Sequence, residues 1–338
     1  MKKQHRIKNK ALRIIVRILL VLVILAALGA STMTIAYHHR SDPKDTLLYE
    51  TSNPHITDGK SRISAHRSGA GIAPEETMMA FRRCIEDESF DVDYFEFDLH
   101  ITKDDVLILL HDNELDRTSD CQEVFGHEHC RPEDYTFEQL KQLNMGAKFV
   151  NETGEMPYKD LKGADVPDDL RILDLDTILD YLEDNGHYNY IIEIKNDGDL
   201  GRRSMDILYA DLKERNMLER CIFGCFISEI SDYKDEMYPD FIRGPYGTEV
   251  VEFYFSALTN RKNYNPKFKT LQLPFNCFPM DRGVNLGTST VINYAHVHDI
   301  AVQYWTVNNE TDAAYLMSIG ADAIITDYPD MVYRIREN

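Results

Sequence analysis

The chain has 338 residues, 43% of them hydrophobic and 28% charged, and a formal net charge of −20. That length and apolar content supply a folded core and exclude a wholly disordered polyelectrolyte. Subtracting the seven Lys and Arg of residues 1–17 leaves −27 for the remainder, a body that repels nucleic acid and anionic lipid surfaces.

The basic segment MKKQHRIKNKALRIIVR leads into ILLVLVILAALGASTMTI, 18 uncharged residues from Ile18 to Ile35. The run is long enough to span a bilayer, with Arg17 snorkelling at its edge. A cleaved signal peptide would use Ala27-Leu28-Gly29 as its small-x-small site, but the apolar run is long for that role. The expectation is an uncleaved transmembrane helix over 18–36 and a cytoplasmic basic tail over 1–17. By the positive-inside rule, everything after about Tyr37 then faces outward, extracellular or periplasmic. Residues 37–60, polar and interrupted by Pro43 and Pro54, read as a stalk or an irregular wrap, and 61–336 as the catalytic domain.

In that domain SRISA reads as a strand, PEETMMAFRRCIED as a helix behind Pro74, and Phe95–Leu99 and Val106–Leu110 as strands. LDLDTILDYLEDNG predicts a helix stopped by Gly186, YNYIIEIKN a strand, GRRSMDILYADLKERNML an amphipathic helix and CIFGCF a strand. Further strands are expected at 249–254, 268–273, 301–305 and 322–325, the last after the helix NNETDAAYLMSIG. The alternation predicts an α/β protein with a largely parallel sheet, and about eight strands in about 275 residues fit a closed barrel. An open doubly wound sheet would want a glycine-rich phosphate loop near its start, and the sequence has none of the usual forms. Residues from about 119 to 170 contain one short helical pattern, TFEQLKQLN, and read as an inserted lobe. Six cysteines are too few for a disulfide scaffold, and Cys221 and Cys225 read as buried apolar residues. Cys121 and Cys130, with His127 and His129 between them, admit a disulfide, free thiols or a zinc site.

Chemistry-bearing residues gather at strand ends. Alternation puts Glu96 and Asp98 on one face of their strand and Phe95, Phe97 and Leu99 on the other. Two like charges on an inner face need a cation or basic partners. A divalent metal suits oxygen ligands, and Arg67 or Lys195 is the alternative. Other strands end in His66-Arg67, in His111-Asp112, and in Glu193 and Lys195 two apart. Three carboxylates, two histidines, an arginine and a lysine suit phosphoryl chemistry, in which cations neutralise the phosphate oxygens and histidines accept and return a proton. A glycosidase would need only two carboxylates.

The motifs HRSG, APEET, FEFDLHITKDD, VLILLHDNELDRTSD, IIEIKN and VQYWTVNNETDAAYLMSIGADAIITDYPD, in that order from about Ser61 to Met331, resemble the glycerophosphodiester phosphodiesterase family. The resemblance implies an irregular (β/α)8 TIM barrel with its insertion at about 119–170. It implies that Glu96, Asp98 and Glu193 hold one divalent cation, Ca2+ or Mg2+, and that His66 and His111 are the acid/base pair. Arg67 and Lys195 would contact phosphate and Trp305 would line the pocket. The implied reaction hydrolyses a small glycerophosphodiester or a glycerophosphate polymer to glycerol 3-phosphate and an alcohol. Two departures stand out: Ser68 occupies the usual glycine position after His-Arg, and Glu76 replaces the usual asparagine. Two other functions stay open, a phospholipase D-like lyase forming a cyclic phosphate and a catalytically inactive surface binding protein of the same fold. Trp305, the sole tryptophan, suits packing as well as holding a glycerol backbone or a choline-like cation. Asp327 supports a basic neighbour or packs. His296 and His298 are left outside the site, and the aromatic stretch EVVEFYFSALTNRKNY reads as ordinary packing rather than an acyl-binding surface.

Overall fold

The computed structural model describes residues 2–47 and 50–338; Met1, Leu48, Tyr49 and the side chains of residues 2–13, which carry most of the basic cluster, lie outside the described residues. The apolar run belongs to helix α1 (Lys2–Tyr37), whose stretch Ile14–Tyr37 is long and apolar enough to cross a membrane and has none of its apolar window buried.

The domain follows in the order β1 (Arg62–Ala65), α2 (Met78–Glu86), β2 (Tyr94–Ile101) and β3 (Leu107–Leu109), then two short helices, α3 (Cys121–Phe125) and α4 (Phe137–Leu140). Next come α5 (Leu175–Asn185), β4 (Asn189–Ile194), α6 (Gly198–Glu214), β5 (Cys221–Gly224), α7 (Ser228–Met237) and α8 (Gly247–Leu258). The chain ends with β6 (Thr270–Pro274), α9 (Ser289–Val297), β7 (Ala301–Trp305), α10 (Glu310–Ser318), β8 (Ala323–Thr326) and α11 (Pro329–Glu337).

Seven parallel strands run β5-β4-β2-β1-β8-β7-β6 around the barrel. The gap between β5 and β6 is filled by residues 242–244, too short to count as a strand. Phe223 N donates to Ile242 O, Gly244 N to Phe223 O, and Lys269 N to Arg243 O. The ring is thus an irregular (β/α)8 barrel, nearly closed. Two expectations need correction. Residues 249–254 are not a strand but the middle of α8, which buries Phe253, Ser256 and Ala257 at helical spacing and is capped by Glu249 over the Tyr246 N–H. Residues 106–110 do form a strand, but β3 pairs antiparallel with β2 outside the ring.

Period-two alternation sorts the strands' side chains. Phe95, Phe97 and Leu99, Ile192 and Ile194, and Val302 and Tyr304 face the helices in the main core. Tyr94, Ile191, Ile222 and Ile325 form a small apolar floor inside the barrel. The same inward faces continue upward through Glu96 and Asp98 on β2 and Glu193 on β4, so the carboxylates stand above that floor at the strands' C-terminal ends, where such barrels place chemistry. The segment following β3 makes a separate small core around Leu115, Cys121, Cys130 and Leu140, which packs on Ile108 and Leu110.

Residues 37–47 descend the outside of the barrel. Tyr37 donates to Asp281 in the loop after β6, Arg40 pairs with Asp312 at the start of α10 at 2.6 Å, and Thr46 Oγ1 bonds Ile319 O at its far end at 2.7 Å. Residues 51–57 then cross the opposite end of the barrel. There Asn53 Nδ2 bonds Lys269 O at 2.7 Å, His55 Nδ1 meets Tyr94 Oη at 2.8 Å, and Thr57 N bonds Asp322 Oδ1 at 2.8 Å.

Candidate active site

A cavity of about 440 Å³ lies on the flank between α2 and the lobe, but the chemistry lies elsewhere, in a cavity of about 340 Å³ at the C-terminal mouth of the strands. The mouth cavity is lined by every residue singled out above as a site residue: His66 and Arg67 after β1, Glu96 and Asp98 on β2, His111 after β3, Glu193 and Lys195 on and after β4, and Trp305 ending β7. Gln272, Phe226 and Met280 also line it. The first is the inward residue of β6; the other two sit in loops where no periodicity marks them.

The register explains the convergence. Asp98 and Glu193 are direct neighbours across β2 and β4. Lys195 reaches back between them, its Nζ 2.8 Å from Asp98 Oδ1 and 3.0 Å from Glu193 Oε1. Burial opposes the ammonium, but Asp98 and Glu193 outweigh it and hold Lys195 above its usual range. For Asp98, burial is overcome by Lys195, His111 and Arg67, which keep the carboxyl below its ordinary value. Glu96 is raised by burial and by Asp98, and burial pushes Glu193 up to about 7. The basic-partner alternative therefore describes the charge balance among these side chains.

They also carry the oxygen donor type that a divalent cation takes. Asp98 is only 1% exposed, and while its Oδ1 has the Lys195 ammonium at 2.8 Å, its Oδ2 accepts no hydrogen bond among the described residues and lies 3.9 Å from Arg67 Nε. A buried, underused carboxylate flanked by two raised ones is a hard-oxygen donor set.

Each histidine is backed by a carboxylate. His66 Nδ1 lies 2.6 Å from Asp327 Oδ1, whose other oxygen accepts from Asn308 Nδ2 at 2.5 Å. With Nδ1 donating to Asp327, Nε2 is turned to the cavity, 3.9 Å from Glu96 Oε2. Burial opposes charge on His66, but Glu96 and Asp327 hold its pKa above the ordinary imidazole value. His111 Nδ1 lies 2.7 Å from Asp112 Oδ1, and Arg117 bonds both Asp112 and Glu75. Glu75 in turn accepts from Arg67 Nη1 at 3.3 Å, linking the two histidine loops.

The two departures are now located. Arg67, Ser68 and Gly69 lie consecutively at φ 45°, 65° and 94°, so the turn that aims His66 passes through the left-handed region that favours glycine. It also turns Arg67 N to Glu96 Oε2, at 2.7 Å. Glu76 does not line the cavity. It is 4% exposed, with Oε1 accepting from the backbone N of Asp98 at 2.7 Å; burial and the neighbouring Asp98 raise its carboxyl well above the ordinary range. His296 bonds Asp322 at 2.9 Å near the opposite end of the barrel. Cys121 and Cys130 are free and buried, and their Sγ atoms and an Asp116 oxygen lie within 4.8 Å of one another. His127 bonds Tyr135 and His129 bonds Glu114.

Residues 66–331 match the model of the glycerophosphoryl diester phosphodiesterase family. The chain belongs to that family. A glycerophosphodiester phosphodiesterase of Bacillus altitudinis is 24% identical over 280 residues, covering 82% of this chain and 98% of the relative. A glycerophosphoryl diester phosphodiesterase from Silicibacter pomeroyi, solved as a crystal structure and named there as unconfirmed, superposes with a TM-score of 0.63 at 20% identity, over 83% of this chain and 95% of that one. An Oleispira antarctica phosphodiesterase solved with its product sn-glycerol-3-phosphate superposes at 0.59 and 19% identity, over 82% and 97%. These structures share the barrel of the family, and the mouth cavity here lies where the barrel concentrates its chemistry.

Proposed function

We propose that this chain is a membrane-anchored, outward-facing phosphodiesterase that hydrolyses glycerophosphodiesters to glycerol 3-phosphate and an alcohol, with a divalent cation and two histidines. The observation that carries the reading is the meeting, in one cavity of a chain of this family, of two carboxylate-backed histidines with three inward carboxylates, Arg67 and Lys195. Held by Glu96, Asp98 and Glu193, Ca2+ or Mg2+ would neutralise phosphate charge and make phosphorus more electrophilic. Arg67 and Lys195 bind the remaining phosphate oxygens. One histidine takes a proton from the attacking water at Nε2 and the other gives one to the departing alkoxide; Asp327 and Asp112 hold the rings in the tautomer that leaves Nε2 available for this. The floor of Ile191 and Ile325 keeps bulk water from beneath the phosphate. The uncharged length of α1 and the seven basic residues ahead of it support an anchor with the barrel outside.

The full chain, assayed on several glycerophosphodiesters, is expected to release glycerol 3-phosphate, to stop with EDTA, and to resume with Ca2+ or Mg2+. No release with any divalent cation sinks the reading, and a persistent cyclic phosphate in phosphorus NMR would replace it with the lyase.

A further inference from the structure

The lobe after β3 holds two cysteines for which the catalytic reading has no use. Cys121 opens α3, Gly126 turns the chain back at φ 78°, and Cys130 returns beside it. The two Sγ atoms and an Asp116 carboxylate oxygen lie within 4.8 Å of one another. Both cysteines are fully buried in the lobe's small core. Leu115 N donates to Cys130 O at 2.9 Å, so Cys130 also closes back on the segment that leaves His111.

The groups around the sulfurs do not complete a metal site. Asp116 already accepts from Gln122 Nε2 at 2.9 Å, from His129 N at 3.0 Å and from Cys130 N at 2.9 Å. His127 places Nδ1 2.9 Å from Glu128 O and Nε2 2.8 Å from the Tyr135 hydroxyl. A tetrahedral zinc would meet two sulfurs and no free third ligand among the described residues. What the lobe offers is a pair of sulfurs facing each other in a dry core.

The loop they close bears on the catalytic mouth. Arg117 donates to both oxygens of Asp112, which backs His111, and to both oxygens of Glu75, which also accepts from Arg67. The backbone that carries Arg117 is held from the cysteine side. Asp116, the residue before it, is tied to the N–H groups of His129 and Cys130, and Lys148 Nζ bonds its carbonyl at 2.6 Å.

We propose that Cys121 and Cys130 are joined as a disulfide that closes this loop and keeps Arg117 seated on Asp112 and Glu75. This rests on the outward-facing reading above, which places the lobe where disulfides persist, and its effect on turnover rests on the phosphodiesterase reading. The oxidant is a protein disulfide carrier on the outer side of the membrane. One cysteine thiolate attacks the carrier's disulfide to give a mixed disulfide, and the other displaces the carrier from it. Two electrons and two protons pass to the carrier, which leaves as a dithiol, and one S–S bond is formed. Burial pushes the Cys121 thiol up to about 12 in the folded lobe, so the exchange takes place before the lobe closes.

The test uses full-length protein purified from membranes and alkylated in denaturant without reductant. Mass spectrometry should find every cysteine alkylated except Cys121 and Cys130, and a peptide joining those two. Protease added to intact cells locates the barrel. Both thiols alkylated with the barrel outside overturns the disulfide and leaves the anchor reading standing. A barrel inside overturns the anchor reading, and the bond is then judged by refolding the protein in a glutathione redox buffer, where failure to form it overturns the disulfide too. Bound zinc that shields both cysteines until it is chelated would replace the bond with a metal site. Cys121→Ala, Cys130→Ala and the double variant should each lose the same ~5 °C of Tm, because either change breaks the whole bond. Losses that add would mean two separately packed thiols. On a glycerophosphodiester, kcat should fall roughly three- to tenfold in these variants with KM unchanged, and removing both cysteines from an Arg117→Gln protein should lower it no further. A further fall there, or full kcat without the bond, overturns the link to Arg117. If the parent turns over nothing, the phosphodiesterase reading falls and the mass result still decides the bond.

Discussion

Asp327 shows how one side chain can act through another. Burial alone would raise its carboxyl, but His66 holds it below the ordinary range, so it stays an anion against the imidazole. Asp327→Asn keeps the shape but no longer favours the proton on Nδ1. We expect kcat to fall roughly ten- to hundredfold with KM and thermal stability little changed, as steady-state kinetics and a melting curve would show. A rise in KM alone would mean that Asp327 shapes the phosphate site instead. Ser68 makes the opposite case. Its positive φ strains a residue with a Cβ, and its buried hydroxyl has no hydrogen-bond partner among the described residues. Ser68→Gly should therefore stabilise the protein by about 1 kcal/mol in chemical denaturation with activity retained; a lower midpoint would show that the hydroxyl has a role. His66, Glu96, Asp98, Glu193 and Lys195 were legible because strand alternation and clustering at strand ends both mark them. Asp327 was legible only as a candidate support, since its partner lies 261 residues away. The placement of Glu76 on the Asp98 N–H, with φ 55° at that residue, is announced by no local pattern.

Arg243 illustrates the element scale. It is 1% exposed in the short segment that closes the ring, with forked hydrogen bonds to Asp235 on α7 and Glu249 on α8. The misread strand at 249–254 has its cause here. Val, Phe and Tyr in that stretch match a strand's composition, but Glu249 is fixed as a helix cap by Arg243, and the ring position is taken by residues 242–244, too few to show a period. Arg243→Met leaves two carboxylates facing each other in a largely buried site, with Lys234 and Lys267 3.4 and 3.5 Å from Asp235 as partial compensation. A loss of about 3 kcal/mol is expected in urea unfolding. A change within about 0.5 kcal/mol, the range of ordinary surface substitutions, would mean that closure does not depend on the pair. The other barrel strands were readable because each is long enough to alternate, and 106–110 was readable as a strand but not in its antiparallel direction, which depends on pairing rather than on composition.

At the scale of the whole molecule, residues 37–47 and 51–57 set which end of the barrel lies near α1. The segment leaves α1 at the mouth, descends beside α10 and crosses the opposite end before β1 begins. His55 is the buried pin of that crossing. It is 1% exposed, its Nδ1 meets Tyr94 Oη, and its Nε2 has no hydrogen-bond partner among the described residues. Burial, aided by the charge of Arg62, lowers its pKa to about 4. The folded value thus lies below the unfolded one of about 6.5, so the unfolded chain binds the proton first as pH falls. The contribution of neutral His55 is complete above about pH 6.5 and is lost progressively down to about pH 4, a total of about 3 kcal/mol at most. His55→Gln, which does not titrate, should be less stable than the parent at pH 7.5, and the gap in Tm should narrow steadily as pH falls to 4.5. A gap that stays constant across that range would show that His55 does not titrate there or that the crossing segment opens before the barrel does.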